Sequence, residues 1–214
     1  MKFSLGLAAL AGLAAAAPTE LVERQASSTA NELSGPCRAV TFVFARGSTE
    51  AGNIGTIIGP GVSQGLKSRY GANNVATQGV NYAAALATNT LPNGADPKGI
   101  SDMINQLTTA ANKCPNTKIV AGGYSQGAAV THQAIETISS SVRNRIVAAV
   151  TFGDTQNLQD GGRIPNYPPA QTKIFCAAGD PVCAGTLIIN AAHLSYGTDA
   201  GAAVSFLASK IGNI

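Results

Sequence analysis

The sequence predicts an α/β domain: a three-layer sandwich with helices flanking a central, mainly parallel sheet of about five strands and no large lid. Two observations lead there. Short apolar runs alternate along the chain with segments whose apolar residues recur at helical spacing, a pattern that closes a parallel sheet through right-handed crossovers. The runs also end in polar loops rather than hairpin turns, and in parallel sheets the ligand cleft lies at those carboxyl ends.

The first run, Ala39-Val40-Thr41-Phe42-Val43-Phe44-Ala45, is nearly continuous, as befits a strand buried on both faces. It gives way to the polar loop Arg46-Gly47-Ser48-Thr49-Glu50. A helix then opens at Pro60, uses Val62, Leu66 and Tyr70, and stops at Gly71. Val75 to Val80 forms a second strand, and residues 81–95, with Tyr82, Leu86 and Leu91, read as a long loop. Asp96-Pro97 caps a helix whose inner face is Ile100, Ile104, Leu107 and Ala111.

Thr117 to Ala121 is the third strand, behind the break Cys114-Pro115-Asn116, and Ala128 to Ile138 is the helix that follows. Ile146 to Phe152 is the fourth, ending in Gly153-Asp154. Lys173 to Cys176 is the fifth, ending in Gly179-Asp180. A Pro- and Gly-rich connection, residues 157–171, joins those two. The last helix starts near Ala202 and sets Val204, Leu207, Ala208 and Ile211 on one face.

A chain of 214 residues suits one domain with a substantial core, and 45% apolar against 12% charged residues exclude a disordered tail protein. The formal charge is +3, and the 14 Lys and Arg are scattered without a basic, aromatic-interleaved stripe. Nucleic acid is therefore not an expected partner. Lys2 precedes an apolar run from Phe3 to Ala17 that ends in small residues. Residues 1–16 read as a secretory signal peptide, too short and alanine-rich for membrane insertion. Residues 17–30 read as a propeptide or flexible N-terminal segment, and 31–214 as a single domain.

Secretion decides how the cysteines are read. Cys37, Cys114, Cys176 and Cys183 are an even set in an oxidising compartment, so two disulfides are expected. Three pairings are possible. The tight loop with Gly179, Asp180 and Pro181 between Cys176 and Cys183 favours joining those two, which leaves Cys37 with Cys114. The spacing does not suit zinc, and only two histidines are present, so no metal is expected.

Gly123-Tyr124-Ser125-Gln126-Gly127 matches G-x-S-x-G, in which a serine sits on a strained strand-to-helix turn facing a cleft. The glycines two positions either side remove side chains that would collide where strand and helix fold together. Ser125 is the candidate nucleophile, and it needs a base oriented by a carboxylate. His132 lies two turns further along the same helix and reads as a surface or lightly buried residue. His193, in the late loop Ala192-His193-Leu194, is favoured as the base. Asp154 and Asp180 both follow strands and precede His193. Asp180 is favoured because a bridge would hold its loop still; Asp154 otherwise reads as a strand-end turn residue. Asp160 and Asp199 read as ordinary turn residues.

Four of these segments, in this order, resemble the motif set of fungal cutinases. They are Ala45-Arg46-Gly47-Ser48-Thr49-Glu50, Gly122-Gly123-Tyr124-Ser125-Gln126-Gly127, Cys176 to Cys183 around Gly179-Asp180, and Ala192-His193-Leu194. Gly162-Arg163-Ile164-Pro165-Asn166-Tyr167-Pro168 matches too, and the likeness runs from about Cys37 to the C-terminus. The resemblance implies an α/β-hydrolase-like fold over 31–214, a triad of Ser125, Asp180 and His193, and bridges Cys37–Cys114 and Cys176–Cys183. It places the oxyanion hole at the backbone N–H groups of Ser48 and Gln126, with the Ser48 hydroxyl as a further donor. It places an apolar cleft rim at Leu86, Leu187 and Ile189. Asp154 departs from the pattern, standing where several relatives carry tyrosine.

The activity implied is that of a secreted, extracellular serine esterase, monomeric and without cofactor or metal. Its substrates would be cutin, the insoluble plant polyester, and short- to medium-chain carboxylic esters. One alternative is acetylxylan esterase activity on the same fold, against which the apolar rim and the absence of Trp argue. The other is a non-catalytic secreted surface protein.

Overall fold

A computed structural model of the chain describes residues 27–214; the expected signal peptide and most of the 17–30 segment lie outside the described residues. The five expected strands form one sheet: β1 (Val40–Ala45), β2 (Val75–Gly79), β3 (Lys118–Tyr124), β4 (Ile146–Phe152) and β5 (Thr172–Phe175). Every pairing is parallel, and the order is β2-β1-β3-β4-β5. The chain places β2 on one side of β1 and then β3, β4 and β5 on the other. The winding thus reverses between β1 and β3, and a crevice opens at such a switch point beyond the carboxyl ends of the strands.

Two cores lie on opposite faces of the sheet, because successive strand side chains point in opposite directions. Phe42 and Phe44 of β1 pack with Val62 and Leu66 of α1 (Gly59–Tyr70) and Leu207 and Ile211 of the C-terminal helix. Val43 and Ala45 face the other way, onto Met103 and Leu107 of α2 (Pro97–Lys113) and Val130, Ala134 and Ile135 of α3 (Gln126–Thr137). The remaining helices are α4 (Ser140–Arg143), which the sequence did not announce, and the C-terminal α5 (Ala200–Ile211). Asp96 caps α2 as expected, its side chain accepting from the Lys98 N–H.

Two expectations are corrected. The buried face of α2 includes the expected Leu107 and Ala111 but otherwise runs through Gly99, Met103 and Ala110, while Ile100 and Ile104 pack against it only partly buried. The reason is local: the Tyr82 ring lies so close over Gly99 that an added Cβ would come within 2.8 Å of it, so the small residue turns inward. Residues 81–95 are not featureless either, since they carry single 3-10 turns at Leu86–Thr90 and Pro92–Gly94.

Residues 28–30 are already bonded into the fold. The Ser28 carbonyl accepts from the N–H groups of Asn53 and Ile54, and the Ala30 carbonyl from that of Gly79. Disulfides join Cys37 to Cys114, at the far end of α2, and Cys176 to Cys183, across the loop after β5. No helix of the described residues is long and apolar enough to cross a membrane.

Chain-entropy arguments separate the two bridges. The long Cys37–Cys114 closure contributes about 4–5 kcal/mol and the short one about 2. Replacing Cys37 and Cys114 by Ser is therefore expected to lower the denaturant midpoint more than replacing Cys176 and Cys183. The second pair should cost more reactivity at Ser125 than the first, measured as active-site labelling of the folded protein.

Candidate active site

Ser125 occupies the turn between β3 and α3 with φ 54° and ψ −120°, a conformation costly for a residue with a side chain. Its N–H donates to the Phe152 carbonyl at 2.9 Å, tying the turn to the end of β4. The flanking glycines are sterically required. A Cβ on Gly123 would sit 2.0 Å from the Gly127 carbonyl oxygen, and one on Gly127 would sit 2.1 Å from that of Ala45.

This turn aims the Ser125 hydroxyl at an imidazole from a distant part of the chain. His193 Nε2 lies 3.0 Å from Ser125 Oγ, and its Nδ1 lies 2.9 Å from Asp180 Oδ2. An ionised carboxylate only accepts, so Nδ1 carries the proton and Nε2 is left to accept from the serine. Asp180 is held in turn by the Tyr196 hydroxyl, which donates to Oδ2 at 2.6 Å, and by the Val182 N–H, which donates to Oδ1 at 3.0 Å. Burial pushes the Asp180 carboxyl toward neutrality, but the bonds from Tyr196, His193 and Val182 outweigh it and hold the group below its usual range.

The imidazole has little freedom. Tyr124 stacks on it at 5.2 Å between centroids and donates its hydroxyl to the His193 carbonyl at 2.8 Å. Tyr196 meets it edge-on, and the Asn190 side chain accepts the His193 N–H. Gly153 closes the remaining side, where a Cβ would lie 2.6 Å from the ring.

Ser48 follows β1, and Gln126 opens α3 just after β3, beyond the ends of the two strands that flank the reversal of winding. Their side chains touch: Gln126 Nε2 donates to Ser48 Oγ at 3.0 Å, and Asn89 Nδ2 donates to the same oxygen at 2.9 Å. Two incoming donors occupy the acceptor positions of that hydroxyl, so its own proton is free for a third partner. Among the described residues, the backbone N–H groups of Ser48 and Gln126 have no acceptor. The Gln126 N–H stands at the first turn of α3, where the helix leaves donors unsatisfied and favours negative charge.

Ser48, Asn89, Tyr124, Ser125 and His193 line a cleft of about 420 Å³. Leu86, Leu187 and Ile189 stand around it at 63%, 52% and 51% exposure, with Leu194 and Ile188 exposed beside them. Together they make an exposed apolar patch at the mouth of the cleft.

The structure brings Ser125, Asp180, His193, Ser48 and Gln126 together and leaves Leu86, Leu187 and Ile189 at the mouth. Three expectations outside this set are overturned. His132 is fully buried, not at or near the surface, because both ring nitrogens meet carboxylates, Nε2 that of Asp154 and Nδ1 that of Asp160. Asp154 and Asp160 are correspondingly more than turn residues. The sequence gives no role to Asn89, Tyr124, Asn190 or Tyr196, since single asparagines and tyrosines, whether in loops or, like Tyr124, at a strand end, carry no distinctive spacing. The neighbours of Tyr124 and Tyr196 in the Ser125 and His193 motifs were the available signal. Among the described residues no cluster of His, Cys, Asp and Glu could hold a metal ion.

Comparison with known proteins gives a consistent picture. The cutinase family profile matches residues 36–211. "Probable cutinase 3" of Neosartorya fischeri is 54% identical over 211 residues, which span 97% of each chain. Among solved structures, a Trichoderma reesei cutinase in complex with a phosphonate inhibitor superposes with a TM-score of 0.78 at 34% identity, over 88% of this chain and 82% of that one. An acetylxylan esterase superposes with a TM-score of 0.66 at 25% identity, over 83% of this chain and all of that one.

Tyr196 offers a test of the hydrogen-bonding order. Removing its hydroxyl in Tyr196→Phe leaves the Asp180 carboxylate more basic, so it stabilises an imidazolium better. The acid limb of fluorophosphonate labelling at Ser125 is then expected to move to higher pH by about one unit. An unshifted limb, with the variant folded, would mean the tyrosine only packs.

Proposed function

The chain belongs to the cutinase family, and from that premise we propose that it is a secreted serine esterase hydrolysing cutin and short- to medium-chain carboxylic esters. The observation that carries the reading is the unbroken contact from Ser125 Oγ through His193 to Asp180, at 3.0 and 2.9 Å. It opens onto a cleft whose mouth is apolar.

The chemistry follows from the contacts. His193 Nε2 takes the proton as Ser125 Oγ attacks the ester carbonyl, and Asp180 stabilises the imidazolium that forms. The carbonyl oxygen becomes an oxyanion facing the Ser48 and Gln126 N–H groups and the Ser48 hydroxyl. Each such donor is typically worth about 3 kcal/mol in the transition state. His193 then gives its proton to the departing alcohol. Water, deprotonated by the same nitrogen, releases the acid from Ser125. The exposed rim would lay the site against an insoluble polyester, because covering Leu86, Leu187 and Ile189 removes apolar surface from water.

The likeness to acetylxylan esterase does not favour that activity. A sugar polymer calls for aromatic platforms and polar groups at the mouth, whereas leucines and isoleucines stand there and the chain has no Trp. Secretion and action as a monomer belong to the same proposal. They are supported by the N-terminal apolar run and by a site whose triad, oxyanion donors and rim all come from one chain.

Several outcomes are expected. Ser125→Ala abolishes hydrolysis of p-nitrophenyl butyrate by folded protein, and substantial residual turnover would remove Ser125 from the mechanism. Asp180→Asn lowers kcat by about ten-thousandfold, the scale set by loss of a triad carboxylate. Asp154→Asn lowers it far less, and the opposite ranking would transfer the orienting role. Asn89→Ala releases the Ser48 hydroxyl and should reduce kcat about tenfold with little change in KM, a fraction of the loss when a donor is removed outright. A chain-length series and a cutin-release assay would separate the esterase from an acetyl-specific enzyme, which would prefer acetate.

A further inference from the structure

A second cluster of buried titratable groups lies on the other side of the β4 end from the catalytic histidine. His132, two turns along α3 from Ser125, has its Nε2 2.8 Å from Asp154 Oδ2 and its Nδ1 2.6 Å from Asp160 Oδ2. Asp154 Oδ2 also accepts from the Thr151 hydroxyl at 2.6 Å, and Oδ1 from the Gln156 N–H at 2.9 Å. The ring and the Asp154 carboxyl are entirely shielded from solvent, while Asp160 is 17% exposed.

A neutral imidazole has one N–H and can satisfy one carboxylate only, leaving its bare nitrogen to face the oxygen of the other. Both contacts are hydrogen bonds at once when the ring is an imidazolium. Burial opposes that charge, but the Asp154 carboxylate, its hydrogen bond and then Asp160 prevail and raise the His132 pKa to about 9. Burial opposes the Asp154 charge too, and His132 with Thr151 and Gln156 prevails, lowering that carboxyl's pKa. Asp154 from the β4 end and Asp160 from the following loop are the charged groups that act on the ring. Glu136 stands one turn further along α3 itself.

The position of this cluster gives it a consequence for catalysis. Asp154 directly follows Gly153, whose backbone abuts the His193 ring, and directly precedes Thr155 in the cleft wall. Gln156, held by Asp154 Oδ1, reaches the Asn93 carbonyl at 3.3 Å on the loop beyond the oxyanion segment. The Asp160 N–H closes onto the Gln156 carbonyl at 2.9 Å. We propose that His132 is a positioning residue for the esterase site: as a cation gripped by Asp154 and Asp160, it clamps the 153–160 loop onto the helix that begins at the nucleophile, and thereby fixes the wall behind His193.

The clamp has a defined pH window. His132 has a raised pKa, so its contribution to stability is complete below the unfolded value of about 6.5 and is lost as pH climbs through about 9. Asp154 has a lowered pKa, so its contribution is present above the ordinary carboxylate value of about 4 and is lost on strong acidification. Both are therefore complete between about pH 4 and 6.5; above that range the stabilisation declines, and the folded clamp itself loses its proton near pH 9.

The inference rests on the esterase reading, and the experiment keeps the two separable. Imidazole 15N NMR follows His132 through a pH titration in the wild-type protein and in Asp160→Asn, whose amide oxygen can still accept from Nδ1–H. In parallel, kcat/KM on p-nitrophenyl butyrate is measured to pH 10. The wild-type ring is expected to be doubly protonated at pH 7 and to titrate near 9. In Asp160→Asn both the titration and the alkaline fall in kcat/KM should move down together, by about one unit or more as expected for loss of an adjacent opposite charge. A His132 ring found neutral at pH 7 would overturn the proposal. So would a titration that moves while the alkaline limb stays in place, because a purely structural cluster behaves that way. Failure of the wild-type protein to take a fluorophosphonate on Ser125 would instead sink the esterase reading itself.

Discussion

Everything at the cleft depends on one steric arrangement, the packing of Ser125 into a positive-φ turn between β3 and α3. A backbone held there costs on the order of 1–3 kcal/mol and persists only where the surroundings over-determine it. The determinants are visible. Gly123 and Gly127 let the helix start descend against the strand and against the end of β1, and the Ser125 N–H is fastened to the end of β4. Three neighbouring strands thus meet at one residue, and their ends bring Ser48, Ser125 and Gly153 into one small volume. The reversal of winding between β1 and β3 leaves room there for a ligand.

From that fixed point the chemistry is arranged by restraint. A serine hydroxyl is a weak nucleophile without its base, and a base that turns freely spends little time aligned. His193 is stacked on by Tyr124, met edge-on by Tyr196 and backed by Gly153. Asp180 is itself oriented by Tyr196 and Val182 within a loop closed by the Cys176–Cys183 bridge. On the opposite wall, Asn89 and Gln126 orient the Ser48 hydroxyl before any substrate arrives. In the proposed reaction, donors aimed in advance need no reorganisation when the oxyanion forms, which is the source of most of their effect. The His132 clamp extends the same logic one layer outward, exchanging the cost of a buried charge for a loop that cannot drift.

The element order was legible because each strand is a short apolar run and each helix carries an apolar stripe, local patterns that survive whatever the tertiary packing does. Details set by neighbours were not. The inward face of α2 depends on where the Tyr82 ring comes to rest, and Tyr82 belongs to a segment with no periodicity of its own. His132 was misread for a related reason. A lone histidine on a helix gives no indication of carboxylates 22 and 28 residues further along until the chain has folded them against it.

By itself, then, the sequence determined the architecture, the strained serine turn and the family, since glycine spacing, apolar periodicity and ordered motifs are properties of the linear chain. It also singled out Ser125, His193 and Asp180, which the fold brings into hydrogen-bond contact, because motif order restricts each proposed role to one or two candidates. Tertiary structure alone decided which asparagine and which tyrosines orient those members, and that His132 is a buried, doubly held ring and no surface residue. Those outcomes depend on distances between groups remote in sequence, and a hydrogen bond reports only where its two atoms arrive.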